Sequence, residues 1–174
     1  YRFKDGKTAW IELSQASGTA LLKDEEKNPM RTSTLGTGLQ LKHALENGYQ
    51  NIILGIGGSA TNDVATGIFT ALGGKLLDRN QNSVQACGAH LKAITDLDFD
   101  SLIPEIASAQ ITVACDVSNL LLGATGAATI YAPQKGATPA QVTALEQGAE
   151  HLAQIIQQKT GRTITSITGG GAAG

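Results

Sequence analysis

Two aspartates in this chain each follow an apolar run, and their surroundings suggest group-transfer chemistry. The first closes the stretch Asn51-Ile-Ile-Leu-Gly-Ile-Gly-Gly-Ser-Ala-Thr-Asn-Asp63. Gly55, Gly57 and Gly58 carry no Cβ, so the backbone there can turn tightly and come close to a ligand. Ser59, Thr61, Asn62 and Asp63 then bring hydroxyl, amide and carboxylate groups to the start of an expected helix. Free N–H groups and the positive dipole end at such a terminus favour an anion. On this reading the turn holds a phosphate or carboxylate, with Asp63 as a base beside it. The plainer reading is that Asn62 and Asp63 only cap the helix and the glycines only pack. The density of glycine and polar groups within so short a span favours the first.

The second aspartate, Asp116, follows Gln110–Cys115, an apolar and β-branched run that reads as a second buried strand. A doubly wound sheet exposes its active residues at such strand ends. Two carboxylates placed this way suit phosphoryl transfer, in which one accepts the proton of an attacking hydroxyl. The other holds Mg²⁺ against the transferred phosphate, because the reaction demands mainly positioning and charge neutralisation. Lys135, in Gln134-Lys-Gly136, is a candidate cation for phosphates or a substrate carboxylate, although a lysine beside glycine in a loop is usually just solvated.

A dinucleotide site is the competing reading. Gly55-x-Gly57-x-x-Ala60 follows a strand and opens a helix, and Asp78 ends the next strand at a plausible distance. Asp63 argues against it, since its charge would sit close to the pyrophosphate. A third possibility is a non-catalytic α/β module. A Walker-type loop is absent: Gly74-Lys75 is followed by Leu76, and Phe69 stands where the upstream glycine belongs.

The elements that must position these groups follow from pattern and punctuation. Residues 1–13 read as a hairpin turning at Asp5-Gly6. Short helix and loop segments follow at Ser14–Gly18 and Asn28–Ser33. A helix is expected over Thr37–Asn47, with Leu41, Ala44 and Leu45 on one face and Gly48 as its stop. The glycine turn is expected to feed a helix from Asn62 to Leu72, ended by Gly73-Gly74. Lys75–Asp78 reads as a short strand and Asp78–Asn82 as a polar turn, whereas Val84–Asp100 shows no clear pattern. Short helices are expected at Ser101–Ala107 and Ala124–Ile130. The clearest helix starts after Thr138, which has capping-box spacing to Gln141 and Pro139 at the first helical position. Its apolar stripe is Leu145, Leu152, Ile155 and Ile156, and Thr160-Gly161 ends it.

Composition bounds the class. The 174 residues suffice for one sizeable core, and 41% hydrophobic with 16% charged residues is the balance of a soluble globular protein. Aromatics are only 4%, and 21 glycines fit an α/β protein with many tight turns. A formal charge of −2 gives no electrostatic case for nucleic acid or an anionic membrane surface. No apolar run approaches the ~20 residues a membrane span needs. Cys87 and Cys115 form no paired motif and read as reduced core residues, and His43, His90 and His151 lack metal-ligand spacing. The expectation is a cytoplasmic protein.

Several blocks together resemble one family. Gly55-Ile-Gly-Gly-Ser-Ala-Thr-Asn-Asp63 is similar to the signature of the type I glycerate kinases. So are Ile11-Glu-Leu-Ser-Gln-Ala-Ser-Gly18, Asn28-Pro-Met-Arg-Thr-Ser-Thr-Leu-Gly-Thr-Gly38, Ala114-Cys-Asp-Val-Ser-Asn119, Pro133-Gln-Lys-Gly-Ala-Thr138 and Gly169-Gly-Gly-Ala-Ala-Gly174. They occur in family order across nearly the whole chain. The resemblance implies phosphorylation of glycerate by ATP with Mg²⁺, giving 2-phosphoglycerate. It also implies a mixed or mostly parallel sheet flanked by helices, within two α/β domains of which one is inserted into the other. Family members are roughly twice this long, so residues 1–174 read as a central fragment, inactive without the rest of its parent chain.

On this resemblance Gly57, Gly58, Ser59, Thr61 and Asn62 bind the glycerate carboxylate or the transferring phosphate, with Lys135 as the cation. Asp63 is the base, and Asp116 and Asn119 meet the metal or substrate. The sequence departs from the family in three places. Val64-Ala65 follows Asp63 where the family carries Gly-Gly, Leu120 replaces a proline and Ala132 replaces a glycine.

Overall fold

The computed structural model describes residues 2–4 and 6–174. Tyr1 and Asp5, both in the expected opening hairpin, lie outside the described residues. Strand β1 (Arg2–Lys4) pairs antiparallel with β2 (Thr8–Glu12), aligning Phe3 with Ala9. A short helix α1 (Ser14–Ser17) and two single-turn segments lead to helix α2 (Leu35–Glu46). Gly48, at φ +86°, ends α2 as the sequence implied.

Strand β3 (Asn51–Gly55) then runs parallel to β2, aligning Ile52 with Ala9 and Leu54 with Ile11. Those four residues are buried and meet Leu41, Ala44 and Leu45 of α2. Alternation in the strands and the i, i+3, i+4 spacing in the helix thus converge on one core. Full burial of a side chain such as Leu41 or Ile52 contributes about 1.5–3 kcal/mol.

The glycine turn departs from expectation after Asp63. Val64 and Ala65 have φ of +50° and +57°, so the backbone is left-handed where a helix was expected. Helix α3 (Thr66–Ala71) therefore starts beyond them and is short. Left-handed backbone opposes Cβ for any residue except glycine, which is the pair the family pattern carries here.

Strand β4 (Lys75–Leu77) pairs antiparallel with β5 (Asp96–Asp98), which falls in the stretch that showed no sequence pattern. The two make a separate small sheet. It packs with the turn 88–93 around Leu76, Leu91, Ile94 and Leu97.

After a turn at Pro104–Ser108, strand β6 (Gln110–Ala114) runs parallel to β3, and the main sheet has the order β1-β2-β3-β6. The expectation of a second buried strand is only half met, because all five residues of β6 are exposed. Ile111 is 38% and Val113 51% exposed, since β6 pairs on one side only among the described residues. Cys115 just beyond it is likewise exposed rather than a core residue, while Cys87 is buried and both are free thiols.

Helix α4 (Ala127–Tyr131) precedes the long helix α5 (Pro139–Thr160). The capping box is formed: the Thr138 hydroxyl accepts from the Gln141 N–H at 3.3 Å, and the Gln141 side chain accepts from the Thr138 N–H at 2.8 Å. Leu152 and Ile155 pack on the small sheet and Leu145 on α4, and Gly161 ends the helix at φ +72°. Among the described residues, no helix is long and apolar enough to cross a membrane.

Candidate active site

The ends of β3 and β6 open onto a pocket of about 460 Å³. It is lined by Gly57, Gly58 and Ser59 from the first strand end and by Cys115, Asp116 and Val117 from the second. Thr19, Lys27, Tyr131, Gln134, Lys135 and Ala172 also line it. The strand pairing explains the meeting, since β3 and β6 are parallel neighbours and Gly55 stands beside Ala114.

The glycine turn is held from behind by the chain before it. Leu13 donates its N–H to the Gly55 carbonyl at 2.8 Å, and Ala60 donates to Ser17 at 2.8 Å. Thr19 donates to the Gly58 carbonyl at 3.0 Å, and Gly58 sits at φ +69°, a conformation that favours glycine. The N–H groups of Gly57 and Gly58 donate to no carbonyl among the described residues. Both residues are exposed in the pocket wall, and peptide N–H groups without carbonyl partners are the kind of donor an anion uses. The N–H groups without carbonyl partners thus lie in the turn itself. Helix α3 starts several residues further on, so its terminus does not take the place expected from the sequence.

Lys135 is not the solvated loop lysine that its glycine neighbour suggested. It is 1% exposed, and its ammonium donates to the carbonyls of Thr61 at 2.5 Å and Ala173 at 2.8 Å. Burial pulls its pKa down to about 8, while the charge of Asp63 works in the opposite direction. The role of the glycine-rich tail was missed in the sequence. Its residues thread between the two strand ends, where Ser59 donates its hydroxyl to Ala173 and Gly171 donates to Asn119. Val64 in turn donates its N–H to Gly174. The Gly169–Gly174 block stood out only by its likeness to the family, which does not tell which segments it packs against.

Asp63 stands apart from the pocket. Its side chain is fully buried and lines no part of the wall. Oδ2 accepts from the Thr34 N–H at 2.8 Å, the Thr34 hydroxyl at 2.9 Å, the Gly67 N–H at 3.2 Å and the Ser33 hydroxyl at 3.4 Å. Oδ1 has no partner among the described residues. Burial pushes its pKa up against these hydrogen bonds, which favour the ionised form. A Cβ on Gly67 would stand 2.3 Å from the Leu35 nitrogen, so glycine lets the start of α3 close on residues 33–35. The carboxylate ties those two segments together.

The remaining candidates divide. Thr61 and Asn62 are buried behind the wall, and the Thr61 hydroxyl and Asn62 amide nitrogen have no partners among the described residues. Asn119 also lies off the wall. Its amide donates to the Thr125 carbonyl at 2.7 Å and its oxygen accepts from the Tyr131 hydroxyl at 2.8 Å. Among the described residues, Asp116 alone supplies a carboxylate to the pocket.

Asp78 does not serve a dinucleotide. It follows β4, which belongs to the small sheet and not beside β3. Its carboxylate closes its own turn by accepting from the N–H groups of Asn80 and Asn82, both at 2.8 Å. Among the described residues no cluster of three or more His, Cys, Asp or Glu could hold a metal ion.

A parallel-cored α/β sheet with a glycine turn, a carboxylate and a buried lysine at its strand ends defines the class, and comparison with known proteins gives the family. The sequence profile of the Glycerate kinase family matches residues 1–174, and the chain belongs to that family. It is 46% identical over 170 residues to a glycerate kinase of Halalkalibacterium halodurans, covering 98% of this chain and 45% of that protein. It is 44% identical over 170 residues to the glycerate 2-kinase of Escherichia coli K12, with 98% and 45% covered. A crystal structure of a protein assigned as glycerate kinase 2 from Salmonella typhimurium LT2 superposes with a TM-score of 0.95 at 38% identity. The match covers 98% of this chain and 46% of that one. The chain therefore spans about half the length of the curated relatives it matches.

Proposed function

We propose that this chain carries the substrate-facing strand ends of an ATP-dependent glycerate kinase that forms 2-phosphoglycerate. The observation that supports this most directly is the pocket where β3 and β6 end. Gly57 and Gly58, whose N–H groups donate to no carbonyl among the described residues, line one cavity together with Lys135 and Asp116. Peptide donors and a fixed cation suit a carboxylate or phosphoryl group, and an adjacent exposed carboxylate suits the proton or counter-ion of the same reaction.

In this reading Gly57, Gly58 and Ser59 bind the oxyanion. Lys135 sets the positive potential of the wall while holding the turn to the glycine-rich tail. Asp116 takes the proton of the attacking hydroxyl or meets Mg²⁺. One carboxylate fits that ion, which keeps several waters and takes its other ligands from substrate phosphates. Bound there, Mg²⁺ would neutralise phosphate charge. Thr61, Asn62, Asp63 and Asn119 act as supports behind the wall, and Asp63 is a positioning residue rather than the base.

In this reading residues 1–174 belong to a longer, two-domain protein, and the greater length of the relatives supports it. The test is ADP release by the natural protein that carries this chain, given D-glycerate, ATP and Mg²⁺. Glycerate-dependent release supports the reading, and a folded protein with none refutes it.

A further inference from the structure

One cation in the pocket wall belongs to none of the motifs that define the site. Lys27 lines the cavity, and its backbone is fixed beside the loop that carries Lys135: a Cβ on Gly136 would stand 2.3 Å from the Lys27 carbonyl oxygen. The two lysines therefore rise from adjoining segments, but their heads are held differently. Lys135 is buried and has committed two of its donors to carbonyls. The Lys27 side chain is 27% exposed, and its ammonium pairs with Asp24 at 2.6 Å, whose side chain is 94% exposed.

An ion pair in that much solvent is weak and holds its partner loosely. An oxyanion in a walled cavity, close to a second lysine and to free peptide donors, competes for the same ammonium from a less screened position. The four-carbon stem gives Lys27 the reach and freedom to exchange one partner for the other.

We infer that Lys27 is a second lysine serving the anion in this pocket, one that leaves Asp24 to bind a phosphate or carboxylate oxyanion there. Asp24 is then a competitor for the lysine, and occupancy of the pocket releases it. This rests on the reading of the pocket as an oxyanion site.

The two partners give a test in which a structural role and a binding role differ in sign. Lys27→Met and Asp24→Asn both remove the surface ion pair, so a merely structural contribution would move both variants the same way. Calorimetric titration of the natural protein with inorganic phosphate, D-glycerate and ADP in separate arms measures each Kd, with thermal melts verifying the fold. The expected result is a Kd raised about 5- to 10-fold in Lys27→Met and lowered about 2- to 3-fold in Asp24→Asn. The effect appears in at least one arm, and the responding arm tells whether the lysine meets phosphate or carboxylate. Normal binding by the wild type with both variants unchanged, or both shifted in one direction, overturns the inference and leaves the pocket reading intact. A wild type that binds none of the three probes overturns both.

Discussion

The carboxylate of Asp63 accepts from both the N–H and the hydroxyl of Thr34, at 2.8 and 2.9 Å, and the same hydroxyl accepts from the Ile68 N–H at 3.1 Å. Thr34 thus links the aspartate before α3 to the helix itself, from the segment that enters α2. The aspartate most suggestive of catalysis in the sequence joins two helix starts and stands apart from the pocket wall.

Removing that acceptor should be destabilising. Asp63→Ala leaves the Thr34, Gly67 and Ser33 donors without their acceptor in a buried place, and a loss of about 3 kcal/mol or more is expected in urea unfolding. The pH dependence carries a sign. Burial holds the folded-state pKa of Asp63 above the ordinary carboxylate value. Its contribution to stability is therefore fully present below that ordinary value and is lost as pH rises through the folded pKa. Asp63→Asn should flatten this decline, and an unchanged pH profile would remove the assignment.

The left-handed pair after Asp63 offers the opposite case. Ala65 has φ +57° and is exposed, so its methyl adds backbone strain and little burial. Ala65→Gly should raise the unfolding free energy by about 0.5–1 kcal/mol. Val64 is a poorer choice, because it packs partly against the clusters of α5 and α4, and glycine there would lose that contact.

Gly57 separates fold from ligand. A Cβ built on it meets no atom within 4 Å, and the residue has no left-handed φ. Gly57→Ala should therefore leave the melting temperature nearly unchanged while placing a methyl group in the pocket wall. A loss of about tenfold in phosphate or glycerate affinity is expected by calorimetry. Unaltered affinity would mean that no ligand approaches this turn.

What the sequence disclosed depended on the distance over which each feature is built. The α5 capping box spans Thr138 to Gln141 and was legible outright, as were Gly48 and the strand–glycine–polar turn at residues 51–63. The burial of Lys135, a candidate cation in the sequence, was not, because its partners lie at Thr61 and Ala173, on segments far along the chain in both directions. The same holds for Asp63, whose anchor at Thr34 sits 29 residues earlier. Gln110–Cys115 misled for another reason: its β-branched composition reports strand preference, and burial is decided by what covers the strand. The family's Gly-Gly after Asp63 carried a usable hint, since paired glycines often mark left-handed backbone, and Val64-Ala65 retains that backbone without them.

Asp116 is the proposed reacting carboxylate, and its exposure makes the test clean. Asp116→Asn should fold normally yet lower the glycerate-dependent rate of ADP release by about 10²-fold or more in the natural protein. A near-normal rate would return the catalytic role to another group.

Lys135 should drive binding and stability in opposite directions over one pH range. With a folded pKa of about 8 against an ordinary value of 10.5, the native state sheds its proton first. Between those two values the unfolded chain binds more protons, so the Lys135 contribution to stability rises with pH. Over the same range the pocket loses a positive charge, and oxyanion affinity should fall as pH passes about 8. Lys135→Met removes the charge at every pH and should abolish both trends, at the expense of the bonds to Thr61 and Ala173. Phosphate titrations and urea unfolding at pH 7 and pH 9.5, run on wild type and variant, read both signs together. If wild-type affinity and stability both rose across that interval, Lys135 could not be the cation that the bound anion meets.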